Sequence, residues 1–249
     1  HAVVMNRRRF TVSFTGSDRA AEQCRTALES WLSAMPDDEI VTAPTGFVPA
    51  ASIERVGLAG PMQVAHCTQI LPALHRSHPE SSLLVLAMAM LRVDYMVSEL
   101  RFKGNAYGAS CSYDGRSINL STYADPHIKR TLDVFRGLPE YVRDVPWGEI
   151  EVTRGILSAA KQVIRPIRPM DATRNALLMH LRGETESVQS EHYDVLRRAT
   201  PDALKRALLK VLETGFRRAP VAVLSNREKL ETANAALGAE GLQIAELLD

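Results

Sequence analysis

The sequence lacks the features that mark a disulfide scaffold, a membrane protein or a nucleic-acid-binding protein. Its 249 residues include three cysteines, which are far apart and form no C-x-x-C pair, so neither a disulfide framework nor a zinc ribbon is expected. The longest apolar run, residues 83–91, is half of the ~20 residues that cross a bilayer, so it predicts a buried helix and no membrane anchor. Lysine and arginine number 30 against 29 aspartates and glutamates, which leaves no basic footprint for nucleic acid.

Known catalytic and nucleotide-binding motifs are also missing. The sequence has no P-loop, no G-x-G-x-x-G, no G-x-S-x-G, and no histidine within H-E-x-x-H or H-x-x-E-H. His75, His78 and Glu80 come nearest to a metal site, but two loop histidines without a third fixed ligand are typically exposed to solvent, so no metal ion is predicted in this chain. For Cys111, a reactive thiol and a packed core residue both remain open.

The apolar pattern predicts an α+β fold. Phe10, Val12 and Phe14 alternate with polar residues as in a strand, and a buried helix is expected from about 80 to 100. Asp114-Gly115 is typical of the turn in a hairpin formed by 107–113 and 118–120. Residues 42–60 favour a loop containing one short strand. Further helices are predicted over 17–35, 125–138, 147–165, 170–182, 185–198, 201–216 and 226–238, and further strands over 64–71, 221–224 and 242–247.

These elements indicate the organisation of the chain. Helices in a block, beside a hairpin and non-adjacent strands, predict one α+β domain over residues 1–249, with a mostly antiparallel sheet and helices packed on one face. The helix predicted after residue 124 takes Asp125 as its N-cap. The first ten residues contain no apolar segment of the kind found in signal peptides, so no signal peptide is predicted. Position 1 is not an initiator methionine, and we expect the chain to be part of a longer protein.

The segment between the buried helix and the hairpin carries the clearest candidate chemistry. Arg101 and Tyr107 stand at a fixed offset, and Gly104 and Gly108 allow sharp turns or close backbone contacts. Arg101 could bind a carbonyl or carboxylate, and Tyr107 could donate its hydroxyl to a developing oxyanion. The same residues also fit a structural role, because an arginine at a helix end offsets the helix dipole and a tyrosine at a strand start often packs.

Residues 100–111, LRFKGNAYGASC, resemble the I-R-x-K-G-G-A-Y-G-x-x-C motif in the C-terminal half of the presequence proteases, a branch of the pitrilysin and insulin-degrading enzyme family. Residues 120–126, LSTYADP, are similar to the S-Y-R-D-P segment of that branch. The resemblance extends over most of the chain from about Met62. It implies the last of four similar α+β domains, paired into two halves that close over an unfolded peptide.

The resemblance also implies how the chemistry is divided. The zinc ligands and the general base of the family lie in the first domain, on H-x-x-E-H and a later glutamate, so zinc is expected in an N-terminal partner half and this chain alone should be inactive. Arg101 would hold a substrate carbonyl, and Tyr107 would donate to the tetrahedral intermediate. A soluble protein, intracellular or organellar rather than secreted, is expected.

Two departures from the family pattern keep alternatives open. Asn105 replaces a glycine and Ala124 replaces an arginine, so a degenerate family member is one alternative. A second is a separate non-zinc subunit that supplies Arg101 and Tyr107 in trans to a zinc-bearing partner. A third is a peptide-binding or assembly module without catalysis, in which both side chains only pack.

Overall fold

The computed structural model describes residues 5–40, 54–164 and 167–247. The helices are α1 (Asp18–Ser33), α2 (Ser81–Leu91), α3 (Ile128–Arg136), α4 (Leu138–Asp144), α5 (Glu149–Ile164), α6 (Pro169–Arg182), α7 (Glu186–Arg197), α8 (Pro201–Gly215) and α9 (Arg227–Leu237). The strands are β1 (Arg55–Ala59), β2 (His66–Pro72), β3 (Gly108–Tyr113), β4 (Ser117–Tyr123), β5 (Val221–Ser225) and β6 (Gln243–Glu246). None of these helices is long and apolar enough to cross a bilayer.

The chain divides into two compact units, His1–Ala51 with Ile164–Glu186, and Ser52–Val163 with Ser187–Asp249. The prediction of one domain over residues 1–249, the last of four, stays a prediction. In the smaller unit, Ser17 caps α1 by accepting the Ala20 N–H at 3.3 Å. The strand predicted around Val12 is wrong, because that segment pairs with no strand among the described residues; Phe10 instead packs edge-on against Trp31 of α1.

The larger unit is built on a six-stranded sheet in the order β3-β4-β2-β5-β1-β6. Strands β3, β4, β2 and β5 pair antiparallel in turn, whereas β1 runs parallel to both β5 and β6. Three of the five pairings are therefore antiparallel, which confirms the predicted sheet type. The short strand expected within residues 42–60 is β1; the rest of that loop up to residue 53 lies outside the described residues.

Helices cover one face of the sheet, as predicted. On that face Cys67, Val223 and Leu120 are fully buried, and α2 and α8 pack on each other and against β3 and β2. Helices α3 and α9 lie against β2, β1 and β5. Alternate strand residues turn to the opposite face, where Ser112 and Ala222 are exposed, because successive side chains in a strand point to opposite sides. The fold class predicted from the sequence is confirmed.

Helix α2 continues without a break into a π-helix, Arg92–Phe102. The Lys103 N–H donates to the Ser98 carbonyl at 3.1 Å, the i to i+5 spacing of that conformation. The helix predicted over 80–100 is confirmed, and the widened turns are an addition that periodicity does not reveal. Because α2 is buried on nearly every side, the π-helix brings residues 101 and 102 out of the core at a fixed position.

The start of α3 differs from the prediction. The helix begins at Ile128, and Asp125 is not its N-cap. Asp125 instead bridges Ala65 through its backbone, and its buried carboxylate accepts the His127 N–H at 2.8 Å and the Thr131 hydroxyl at 2.5 Å. The carboxylate therefore links the end of β4 to α3.

Candidate functional site

The candidate site is the segment from Arg101 to Gly108, which joins the π-helix to β3. Gly104 lies where the Arg130 guanidinium crosses the chain. A Cβ at this position would clash with that guanidinium and would lie 2.6 Å from the Leu100 carbonyl oxygen. Arg130 Nη1 donates to the Glu99 carbonyl at 2.8 Å, which satisfies an acceptor left open at the helix end. Glycine at 104 is thus required by close approach.

Two non-glycine residues in this region adopt the left-handed conformation. Asn105 has a φ of 59° and Ala124 has a φ of 48°. At Asn105 the chain reverses, so that the Ala106 N–H donates to the Leu100 carbonyl at 2.9 Å, which ends the helix in the manner of a left-handed cap. The Ala124 carbonyl accepts the Tyr107 N–H at 3.2 Å. Asparagine tolerates this conformation well, whereas alanine is strained in it.

These two residues are the positions where the sequence departs from the family motif. The backbone conformation that a glycine would favour is kept at Asn105, and the loop still delivers the Tyr107 amide to the end of β4. The departure at Ala124 removes the arginine side chain of the motif and leaves a methyl group. The structure therefore explains Asn105 by backbone geometry, and it gives no reason for the loss of the arginine.

Arg101 is the cation that the surrounding side chains leave available. Lys103 Nζ lies 2.5 Å from Glu99 Oε1, and Arg130 Nη2 lies 3.8 Å from Glu99 Oε2. The Arg101 side chain is exposed, and its guanidinium forms no hydrogen bond or ion pair with any described residue. A guanidinium in that state can donate several hydrogen bonds to a carbonyl or carboxylate of a ligand.

Tyr107 presents its phenol to solvent. The side chain is 71% exposed, and its hydroxyl has no partner among the described residues. The strand predicted over 107–113 would place Tyr107 on the same face as Cys111, because alternate residues of a strand share a face, but this prediction is wrong. Strand β3 begins only at Gly108, so the side-chain alternation of the strand does not extend to Tyr107. Its ring instead lies against Tyr123, with ring centroids 5.9 Å apart and an interplanar angle of 65°.

Sequence reasoning did not single out Tyr123 and His66, which complete a row of three rings with Tyr107. Tyr123 ends β4, and its ring meets that of His66 on β2 with centroids 4.9 Å apart at 69°. The sequence carries a signal for Tyr123, because this residue lies in the LSTYADP segment that resembles the family. It carries none for His66, since its position beside Tyr123 depends on the pairing of β2 with β4, strands about 50 residues apart in the chain.

The buried thiols are not part of a reactive site. Burial raises the pKa of Cys111 to about 12, and its Sγ donates to the Met88 carbonyl at 3.3 Å. Burial, together with the negative charge of Asp125, raises the pKa of Cys67 to about 12. Both thiols are therefore protonated at neutral pH, and core packing is the interpretation that the structure supports for Cys111.

The described residues do not fit a zinc ion. Nowhere in that part of the chain do three or more His, Cys, Asp or Glu side chains converge as metal ligands. His75 Nδ1 lies 2.8 Å from the Ser77 hydroxyl, and His78 Nδ1 accepts the Glu80 N–H at 3.2 Å. Each of these rings thus contacts a residue of its own loop. No chemical step is assigned to zinc in this chain.

Comparisons with known proteins identify presequence proteases among the relatives of this chain. A family model described as the PreP C-terminal domain matches residues 75–226. The mitochondrial presequence protease of Kluyveromyces lactis is 30% identical over 150 residues, which cover 56% of this chain and 15% of that protein. The protein of the same name from Xenopus tropicalis is 27% identical over 180 residues, or 71% of this chain and 17% of its own length. The chain thus spans less than a fifth of either relative.

A solved structure shares the fold. The peptidase M16 inactive domain from Pseudomonas fluorescens superposes with a TM-score of 0.60 at 17% identity, over 85% of this chain and 52% of that one. The matched family segment contains Arg101, Tyr107 and Tyr123, whereas His66 lies before it.

Proposed function

We propose, from the premise that this chain belongs to the family of presequence protease C-terminal domains, that it is the zinc-free C-terminal part of a zinc metalloendopeptidase that degrades unfolded peptides. The family membership inferred from residues 100–111 is confirmed by the match over residues 75–226. In this proposal the chain closes a chamber over the peptide and contributes groups that hold the substrate near the scissile bond.

The observation that carries the proposal is an exposed, unpartnered arginine and phenol on a rigid support. Arg101 lies at the end of a π-helix that Tyr95, Met96 and Leu100 anchor in the core. The Tyr107 N–H donates to the Ala124 carbonyl, just beyond β4. Arg101 donates to a backbone carbonyl of the substrate. Tyr107 donates to the oxygen that gains negative charge in the tetrahedral intermediate, and loss of one such donor costs roughly 10²- to 10³-fold in rate.

Zinc and its activated water belong, in this proposal, to an N-terminal half on the same or a partner chain. The described residues of this chain fit no metal ion, so its own contribution is limited to binding and orienting the substrate and donating hydrogen bonds. The chain alone is expected to be inactive. The relatives are named mitochondrial, which supports an organellar location for this protein, and fractionation of source cells tests that location.

The experiment is the hydrolysis of an unstructured fluorogenic peptide by the complete natural protein and its Tyr107→Phe variant. We expect kcat/KM to fall by about 10²-fold, with bound zinc unchanged. Tyr193→Phe is the control, because Tyr193 is also an exposed tyrosine but lies on α7, outside the candidate site. Unaltered turnover in Tyr107→Phe would refute the assigned role.

A second arm separates the alternatives. Peptide hydrolysis and zinc content are measured for the 249-residue chain alone and for the complete natural protein that contains it. Activity with about one zinc only in the complete polypeptide supports the proposal, whereas activity that appears only when a separate H-x-x-E-H protein is added supports a subunit acting in trans. Peptide binding by the chain alone, unchanged by Arg101→Ala, would favour a binding module.

A further inference from the structure

The phenol of Tyr107 has little to hold it in place. A transition-state donor acts through a fixed position, and a shift of about 1 Å can cost about 10²-fold in rate. Tyr107 is 71% exposed, it precedes the first residue of β3, and its hydroxyl bonds to no described residue. Within the part of the chain that the structure describes, Tyr123 is the one aromatic ring that contacts it. The orientation of the Tyr107 ring therefore depends on Tyr123.

Tyr123 is well placed to provide that support. Its backbone pairs with Gly108, the residue after Tyr107, and glycine leaves no side chain there to separate the two phenol rings. The next residue, Ala124, accepts the Tyr107 N–H at 3.2 Å, so one short segment holds both the backbone and the ring of Tyr107. The Tyr123 ring also meets that of His66 on β2 at a steep angle, and β2 is an interior strand of the sheet.

We infer that Tyr123 is a positioning residue for Tyr107: its ring, supported by His66, holds the Tyr107 phenol in the orientation that meets the substrate. The inference rests on the proposed function. Edge-to-face packing is the interaction involved, since both ring pairs meet at steep angles of 65° and 69° with centroids below 6 Å. The hydroxyl of Tyr123 is not required for this role, whereas an aromatic ring is.

The test compares Tyr123→Leu with Tyr123→Phe in the complete enzyme. Tyr123→Leu removes the ring, so kcat should fall by about 10-fold or more, while KM stays within about twofold because ground-state binding through Arg101 is kept. Tyr123→Phe keeps the ring and should restore kcat to within about twofold of the parent. Tyr193→Leu, which removes a similarly exposed tyrosine from α7, should leave both parameters unchanged.

A double variant distinguishes positioning from an independent role. If Tyr123 acts through Tyr107, then adding Tyr123→Leu to Tyr107→Phe should slow the enzyme no further than Tyr107→Phe alone. Bound zinc and the thermal midpoint are measured for every variant, and Tyr123→Met replaces the leucine variant if that protein does not fold.

Each other outcome overturns the inference in a recognisable way. Normal kcat in Tyr123→Leu, with Tyr107→Phe slow, refutes the positioning role and leaves the proposed function standing. A rise in KM alone shows that Tyr123 binds substrate directly, and equal losses in Tyr123→Phe and Tyr123→Leu show that the Tyr123 hydroxyl itself acts. Normal turnover in Tyr107→Phe removes the proposed function and the inference together.

Discussion

Gly104→Ala tests whether the loop that carries the site is built as the structure shows. The added methyl would clash with the Arg130 guanidinium and lie 2.6 Å from the Leu100 carbonyl oxygen. Moving Arg130 away breaks its 2.8 Å bond to the Glu99 carbonyl. A hydrogen bond from a charged donor contributes about 1.5–3 kcal/mol, and the lower end applies because the Arg130 side chain is 37% exposed.

Crowding against the Leu100 carbonyl adds a second cost of about 1–3 kcal/mol. Together the two effects predict a loss of about 3 kcal/mol in the free energy of unfolding. With a denaturant slope of about 3 kcal/mol/M, the urea midpoint should fall by about 1 M.

The assay is urea unfolding of the 249-residue chain, followed by the fluorescence of its two tryptophans, of which Trp147 is buried. Arg130→Ala serves as the reference, because it removes the hydrogen bond and leaves the glycine, and it should cost about 1.5 kcal/mol. In that background Gly104→Ala should cost about 1.5 kcal/mol less than in the parent chain, since the guanidinium is already gone. Strictly additive losses, or a parent-like midpoint for Gly104→Ala, would refute the close approach.

Two further predictions concern stability. Ala124→Gly should raise the free energy of unfolding by about 0.5–1 kcal/mol, because it removes the strain of a left-handed alanine and adds a smaller entropic cost. In the same urea assay Asn105→Gly should change the free energy of unfolding by less. Equal gains for the two variants would contradict this explanation. Burial raises the pKa of Cys67 and Cys111 to about 12 from 9.0, so the folded chain keeps protons that the unfolded chain loses. The contribution of these thiols to the free energy of unfolding is therefore complete below pH 9 and declines as the pH rises from 9 towards 12. At pH 8 a thiol reagent should label Cys67 and Cys111 only after unfolding. Rapid labelling of either thiol in the folded chain would contradict its burial.

The sequence predicted best those elements whose signal is local and repeated. The hairpin around Asp114-Gly115 and the buried helix from about residue 80 follow from period and turn chemistry alone. The strand predicted at 10–14 did not form, because alternation indicates a possible strand but does not supply the partner that it must pair with. Asp125 was misplaced for a related reason: its bridge to Ala65 uses the backbone that a helix cap requires.

The candidate site shows the same limit at the level of single residues. Arg101 and Tyr107 were found because a motif marks them, and their roles in catalysis stay predictions. The prediction that Tyr107 shares a face with Cys111 was wrong, because side chains alternate regularly only inside a strand. The chain enters β3 through Asn105, which is in the left-handed conformation. His66 carries no local signal, since only strand pairing brings it to Tyr123.

Asn105 and Ala124 bear differently on whether this chain is a degenerate member of its family. Asn105 keeps the left-handed turn that a glycine would make, so its presence does not displace Tyr107. Ala124 also keeps the backbone shape and still accepts the Tyr107 N–H, but it lacks the positive charge of the arginine in the family motif. Any loss of function from these two substitutions would therefore come from a missing charge at 124 rather than from a distorted loop. Since the Arg101 side chain has no partner among the described residues, it remains free to bind an anionic or carbonyl group without that second cation.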